Sequence, residues 1–269
     1  MDQTAGVTGS ENAAFGRVNM RALTSGSNNT AMGNASLSAL TTGSNNTASG
    51  YQALQANTTA SNNTAVGYQA GLSNTTGTDL VAVGSGAAYS NTTGAGNMAM
   101  GQNALYFNTT GIGNTALGTQ HTGVSNAAMN ANTTGSYNTA VGTSALRTNT
   151  TGIGSTAVGY QAMQSSTGSA HVAVGYQALQ NVTNNGNAST VAGYQAGQAV
   201  TSGGVDAFGA QAGYRITTGN YNVAVGNTSL AFTTTGSNNT ATGFQALFSN
   251  TTASNNTAVG YQAGYSGTT

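Results

Sequence analysis

Two histidines and four carboxylates are the side chains here with which an enzyme would ordinarily do acid–base or metal chemistry. A metal centre needs such groups clustered at ligand spacing, and a nucleophilic triad needs a base beside a hydroxyl or thiol. His121 and His171 have no Asp, Glu or Cys near them in sequence. The carboxylates Asp2, Glu11, Asp79 and Asp206 are scattered, so no acid/base pair is expected. GIG at Gly111–Gly113 and GAG at Gly94–Gly96 are short phosphate-loop fragments. With 40 glycines such triplets arise by chance, and no strand–helix context supports them. N-x-S/T triplets such as Asn28-Asn29-Thr30 and Asn74-Thr75-Thr76 are formal glycosylation acceptors in a chain rich in Asn and Thr. The expectation is a protein without catalysis, cofactor or metal.

What must be positioned is therefore a repeat. NTTASNNTAVGYQAG occurs at Asn57–Gly71 and again at Asn250–Gly264. The glycine of NTAVG recurs at 16, 33, 50, 67, 84, 101 and 118, in steps of 17. It resumes at 142, 159, 175, 193, 209, 226, 243 and 260, in steps of 16 to 18. Between them lies SNAAMN, where Asn130 stands at the glycine's place and divides the gap into two short steps, giving sixteen copies. The irregular stretch Thr119–Gly135 reads as a tolerated deletion in one turn; a kink, junction or contact site is the alternative.

A unit N-T-A-V-G-Y-Q-A-L-x-x-N-T-T-G-S-N is too short for a helix pair, and its Gly, Asn, Thr and Ser favour turns. It suits one coil of an all-β solenoid with about sixteen coils and a period of about 17 residues. NTAVG would be a short strand, YQAL a second extended piece and NTTGSN a turn. At the inter-strand spacing, sixteen coils would stack into a rod on the order of 75–80 Å long. Residues 1–11 read as a lead-in, 12–264 as one repeat domain and 265–269 as a tail.

The alanine of NTAVG is kept in fifteen of sixteen copies, including Ala31, Ala48, Ala65, Ala140, Ala157 and Ala258; only Val191 departs. The next position is apolar but variable in size, as at Val66, Val141 and Val259. Adjacent strand residues point to opposite faces. One face would fill the coil and the other would meet a neighbouring chain, unless the alanines merely line an exposed flat face. The leading asparagines would stack as a hydrogen-bonded ladder. The glycines would sit where positive φ or close approach is needed. Tyr51, Tyr68, Tyr160 and Tyr261 follow them, as an aromatic ridge against a partner or as packing between coils.

Only 3 % of residues are charged, with no lysine and no net charge. No basic stripe exists to neutralise phosphates, so nucleic acid is not an expected partner. Disorder is the alternative for so polar a chain, but it would not require period-locked apolar columns. Proline is absent, which suits unbroken ladders, and so is cysteine, which removes disulfides. No secretory leader or membrane-spanning run is read in the sequence.

NTAVG followed by a small polar turn resembles the head repeat of YadA-like trimeric autotransporter adhesins. NTAVGYQAL arrays are similar to those of phage tail-fibre and tail-spike proteins. The resemblance covers Asn12 to Gly264. It implies a left-handed parallel β-roll, three chains side by side, and an adhesive or spacer role. The longer period, the added YQAL and the lack of signal, heptad stalk and anchor tilt the expectation toward a viral fibre or free filament. The expected partners are the chain itself, as homotrimer or filament, and host surface glycans or proteins; the expected location is extracellular or on a virion. The alternatives are a self-assembling filament subunit and an ice-binding solenoid using the Thr column.

Overall fold

The structure is a computed structural model that describes residues 8–119, 126–183, 187–202 and 204–266. It is an all-β solenoid, with fifteen parallel strands and no helix among the described residues. The chain falls into two compact units, Met1–Asn138 and Thr139–Thr269. The first holds β1 (Ala13–Phe15), β2 (Thr30–Met32), β3 (Thr47–Ser49), β4 (Thr64–Val66), β5 (Val81–Val83), β6 (Met98–Met100) and β7 (Thr115–Leu117). The second holds β8 (Thr139–Val141), β9 (Thr156–Val158), β10 (Val172–Val174), β11 (Thr190–Ala192), β12 (Val205–Phe208), β13 (Asn222–Val225), β14 (Thr240–Thr242) and β15 (Thr257–Val259). Within each unit every strand pairs with its neighbours in sequence, so like residues lie over like: Ala31↔Ala48 and Ala48↔Ala65 in the first, Ala140↔Ala157 and Ala241↔Ala258 in the second.

The strand alanine points into the coil. Ala31, Ala48, Ala65, Ala140 and Ala157 are fully buried, and Ala258, in the last strand, is half-buried. They do not line an exposed face. Their small size follows from what packs against them: the leucine of YQAL (Leu54, Leu105, Leu146, Leu179) is also fully buried. Burying one leucine stabilises by roughly 1.5–3 kcal/mol, so each coil adds a modest increment that only stacking makes sufficient.

YQAL is not the extended piece expected. It is a run of turns in which Ala53 N–H donates to Gly50 O (3.3 Å), Gln55 N–H to Gln52 O (3.3 Å) and Asn57 N–H to Leu54 O (3.1 Å). Gln52 and Leu54 have φ of 55° and 50°, a left-handed conformation that costs an L-residue roughly 1–2 kcal/mol. Hydrogen bonds to both neighbouring coils offset that cost. Gln52 N–H donates back to Asn34 O (2.9 Å), while Leu54 N–H donates forward to Ala70 O (3.0 Å).

SNAAMN is likewise no sixteenth strand. Leu105 N–H donates to Ala128 O (3.1 Å) and Phe107 N–H to Asn130 O (3.1 Å), as Leu54 and Ala56 donate to Ala70 and Leu72 (both 3.0 Å). Asn130 therefore stands in the turn arm and not at the glycine's place. Thr115 N–H donates to Asn138 O (2.8 Å), so the stretch does not divide into two shortened coils. A 12-residue coil would lack the atoms to fill its interior.

The glycine after each strand serves both expected purposes. Gly67 has φ of 138°, and a Cβ built there would lie 2.6 Å from Gly84 O in the next coil. Gly260 has φ of 129°, but a Cβ there meets only Ala263 Cβ, at 3.9 Å. Substituting each by alanine separates backbone strain from collision. Gly260→Ala should cost of order 1–2 kcal/mol from φ alone. Gly67→Ala should cost more than about 3 kcal/mol because the coils must also part. Thermal unfolding of the two variants checks this; equal losses would mean that close approach contributes nothing.

Candidate functional site

The residues that chemistry would need are dispersed. His121 and Asp2 lie outside the described residues. His171 is fully buried inside the second unit, in the column otherwise held by the leading asparagines. Its Nδ1 accepts from Ser189 N–H (3.2 Å), and its backbone N–H donates to Ser155 Oγ (3.3 Å). The ring acts as a core acceptor at Nδ1. Asp79 accepts from Thr78 Oγ1 (2.8 Å) and Asn62 Nδ2 (3.3 Å); Asp206 accepts from Thr190 N–H (3.2 Å). Among the described residues no three His, Cys, Asp or Glu are grouped to hold a metal, and no helix is long and apolar enough to cross a membrane.

The asparagine column is a ladder, as its spacing predicts. Asn29 N–H and Nδ2 both donate to Asn12 Oδ1 (2.9 and 3.0 Å), and Nδ2 also donates to Gly43 O (2.9 Å). Asn46 repeats this on Asn29, Asn114 on Asn97 and Asn239 on Asn222. The amide oxygen caps the N–H entering the next strand, a group whose burial unpaired would cost about 1–3 kcal/mol. Any side chain with an acceptor at that place serves, which is why Ser155, His171 and Ser189 can stand there.

A second ladder escaped the sequence reading. The asparagine of NTTG is also buried, and Asn91 donates to Asn74 Oδ1 (2.8 Å), Asn108 to Asn91 Oδ1 (2.7 Å) and Asn132 to Asn108 Oδ1 (2.8 Å). Its signal was the recurrence of N-T-T itself, which composition made easy to discount as turn.

Departures from the consensus inside the coil compensate one another. The leucine of YQAL is replaced by glycine at Gly71, Gly197, Gly213 and Gly264. A Cβ on Gly197 would lie 3.3 Å from Val191 Cγ2, so the larger strand residue occupies the space the missing leucine leaves. At Gly71 the filler is Leu80 (3.2 Å), and at Gly213 it is Ile216 (3.0 Å). Leu80 interrupts the asparagine ladder, and Asn63 Nδ2 is buried without a partner there.

What the coil leaves outside is a strip of two columns flanking the glycines. Val66 is 41 % exposed and Phe208 42 %, on the strand's outer face; Tyr68 is 54 % and Tyr194 52 % exposed. Tyr51, Tyr160, Tyr261 and Val259 are also exposed, and Val141 half-buried. The tyrosines both stack between coils and face outward. Ring centroids are 5.4 Å apart for Tyr51–Tyr68, 5.4 Å for Tyr160–Tyr176 and 5.3 Å for Tyr176–Tyr194. Beside them runs a glutamine ladder: Gln177 Nε2 donates to Gln161 Oε1 (2.8 Å) and Gln195 Nε2 to Gln177 Oε1 (2.9 Å).

Comparison of the chain with protein-family models, curated proteins and solved structures finds no match.

The interior compensation is open to a double-mutant cycle. Val191→Ala alone should cost about 1–2 kcal/mol for the void it opens, and Gly197→Leu alone about 1–3 kcal/mol for overpacking. The φ of 57° at Gly197 is one that leucine already adopts at Leu179 (49°), so the double variant restores the consensus coil. It should melt near the parent, with a coupling of at least about 1 kcal/mol. Additive losses would show that the two sites do not share one space.

Proposed function

We propose that this protein is a structural fibre component with an adhesive or spacer role, assembled from copies of itself outside the cell or on a virion surface. The observation that carries the reading is the uncovered apolar strip. The coil's core is filled from within by alanine, leucine and laddered asparagine, so the outward Val and Tyr columns are not consumed by filling it. Contiguous apolar patches beyond a few hundred Å² are rare on monomers and mark interaction surfaces. A repeat in register presents such apolar side chains at a fixed spacing along the stack, which matches another copy of the same repeat better than an irregular globular partner. With 3 % charged residues, little repels two such copies. The resemblance to trimeric adhesin heads favours three chains.

Native mass by light scattering after size exclusion tests this directly. Three chains per particle is the expected result, and a polydisperse, very large mass would replace the trimer by a filament. Val66→Lys with Val174→Lys should shift the particle to monomer while leaving β-sheet circular dichroism intact, because both side chains are exposed in the single chain. A parent protein that is already a monodisperse monomer would end the proposal.

A further inference from the structure

In the first unit the tyrosine and glutamine columns run for two coils only. Tyr51 and Tyr68 are followed one coil later by Ser85, and Gln52 and Gln69 by Gly86. The backbone ladder continues unbroken: Gly86 N–H donates to Tyr68 O (2.9 Å) and Asn103 N–H to Ser85 O (3.0 Å). At Gly86 a Cβ would lie 2.4 Å from Asn103 Oδ1 and 3.2 Å from the Tyr106 ring, so neighbours crowd the glutamine's place, whereas exposed Ser85 leaves the place of the ring open. A notch of about 360 Å³ lies there, lined by Tyr68, Gln69, Ser85, Tyr106, Asn103 and Asn130 among others.

The notch begins where the run of stacked tyrosines stops. Tyr68 stacks on Tyr51 by one face, and its other face looks across the place where the next ring would lie. Gln69 Nε2 donates to Gln52 Oε1 (2.8 Å). In the second unit the corresponding oxygen accepts from the next glutamine; here Gln69 Oε1 meets a glycine. The far wall is aromatic too, with Tyr89 and Tyr106 stacked at 4.8 Å and Phe107 edge-on to Tyr106 at 4.8 Å. Burial, with the neighbouring Tyr89, pushes the Tyr106 phenol above its ordinary value. No Asp, Glu, Arg or His lines the notch.

We infer that this notch binds a neutral pyranose sugar, seated as a substitute for the missing tyrosine. Tyr68 and Asn103 are two coils apart, about 9.6 Å at the inter-strand spacing, which leaves room for one six-membered ring between them. The axial C–H face of a pyranose is apolar and stacks on the open face of Tyr68, as the absent ring would. Its hydroxyls donate to Gln69 Oε1 and exchange hydrogen bonds with the amides of Asn103 and Asn130 and the Ser85 hydroxyl. A nucleotide is disfavoured because no cation is present for its phosphate. The inference goes beyond self-assembly and stands whether or not the chain forms a fibre.

Saturation-transfer NMR on the full chain, with the methyl glycosides of glucose, galactose, mannose, N-acetylglucosamine and N-acetylgalactosamine at millimolar concentration, tests it. At least one glycoside should receive saturation at its ring protons. Ser85→Tyr extends the tyrosine stack by one ring and closes the notch. Ser85 is exposed in the parent, so the variant should fold and melt no lower than the parent. It should lose the transfer at least tenfold, and Tyr68→Ala should weaken it as well. If Ser85→Tyr fails to fold, Tyr68→Ala alone provides the comparison. Absence of transfer from all five glycosides, or equal transfer in the filled variant, overturns the inference.

Discussion

Everything in this molecule is subordinate to the approach of one coil to the next. At the glycine after each strand the following coil's carbonyl stands where a Cβ would be, 2.2 Å away at Gly50 and 2.6 Å at Gly67. That proximity and the inter-coil hydrogen bonds allow no slack along the stack. Each side chain is consequently held beside its own counterpart one coil away. The sequence must be written in residues that tolerate themselves as neighbours. Asn, Gln, Ser and Thr do so by having both donor and acceptor, and Tyr by stacking. Like charges at this spacing repel. The scarcity of charge is thus a consequence of stacking before it is a statement about location. Among the described residues each charge that occurs is set between uncharged neighbours: Asp206 between Thr190 and Val223, Arg215 over the Phe232 ring at 4.8 Å.

The same constraint explains why the interior varies in pairs. A coil this thin has no second layer to absorb a change of volume, so a leucine lost from the arm must be replaced from the strand or the adjoining columns. Val191, Leu80 and Ile216 are such replacements. The price of one of them is visible, since Leu80 fills the space above Gly71 but ends the run of asparagine amides at Asn63. Packing and polar satisfaction compete for one column, and packing prevailed there.

The period, the inward alanines, the first asparagine ladder and the need for glycine were legible because each rests on a residue type repeated at fixed spacing. The arm was not. Nothing in the letters Y-Q-A-L announces that Gln52 and Leu54 take positive φ, because neither residue favours it locally; inter-coil bonds impose it. SNAAMN was misplaced for a related reason. Ala127 and Ala128 resemble the strand's alanine in type, but the pairing partners Leu105 and Phe107 assign them to the arm. The Val191 exception looked like noise until Gly197 was seen beside it. What sequence reading lacked in each case was the neighbouring coil, which decides conformation and volume here more than local propensity does.

A ladder of identical rungs carries little information, so recognition must reside where the rungs differ without structural need. Inward differences are answered by other inward differences and are accounted for by packing. The replacement of tyrosine by Ser85 has no such answer: Asn103 and Tyr106 crowd the place of a side chain at Gly86, but the notch beside Ser85 stays open and the backbone passes through unaltered. A lost stacking contact on an outward face is the pattern expected of a site selected for something other than stability. The same reasoning separates the outward Val and Tyr columns from the alanines beneath them. The alanines are fixed by the coil itself, whereas the outer columns are free to be polar, as at Ser49, Thr143 and Asn227, and yet hold Val, Met, Phe or Tyr at many coils.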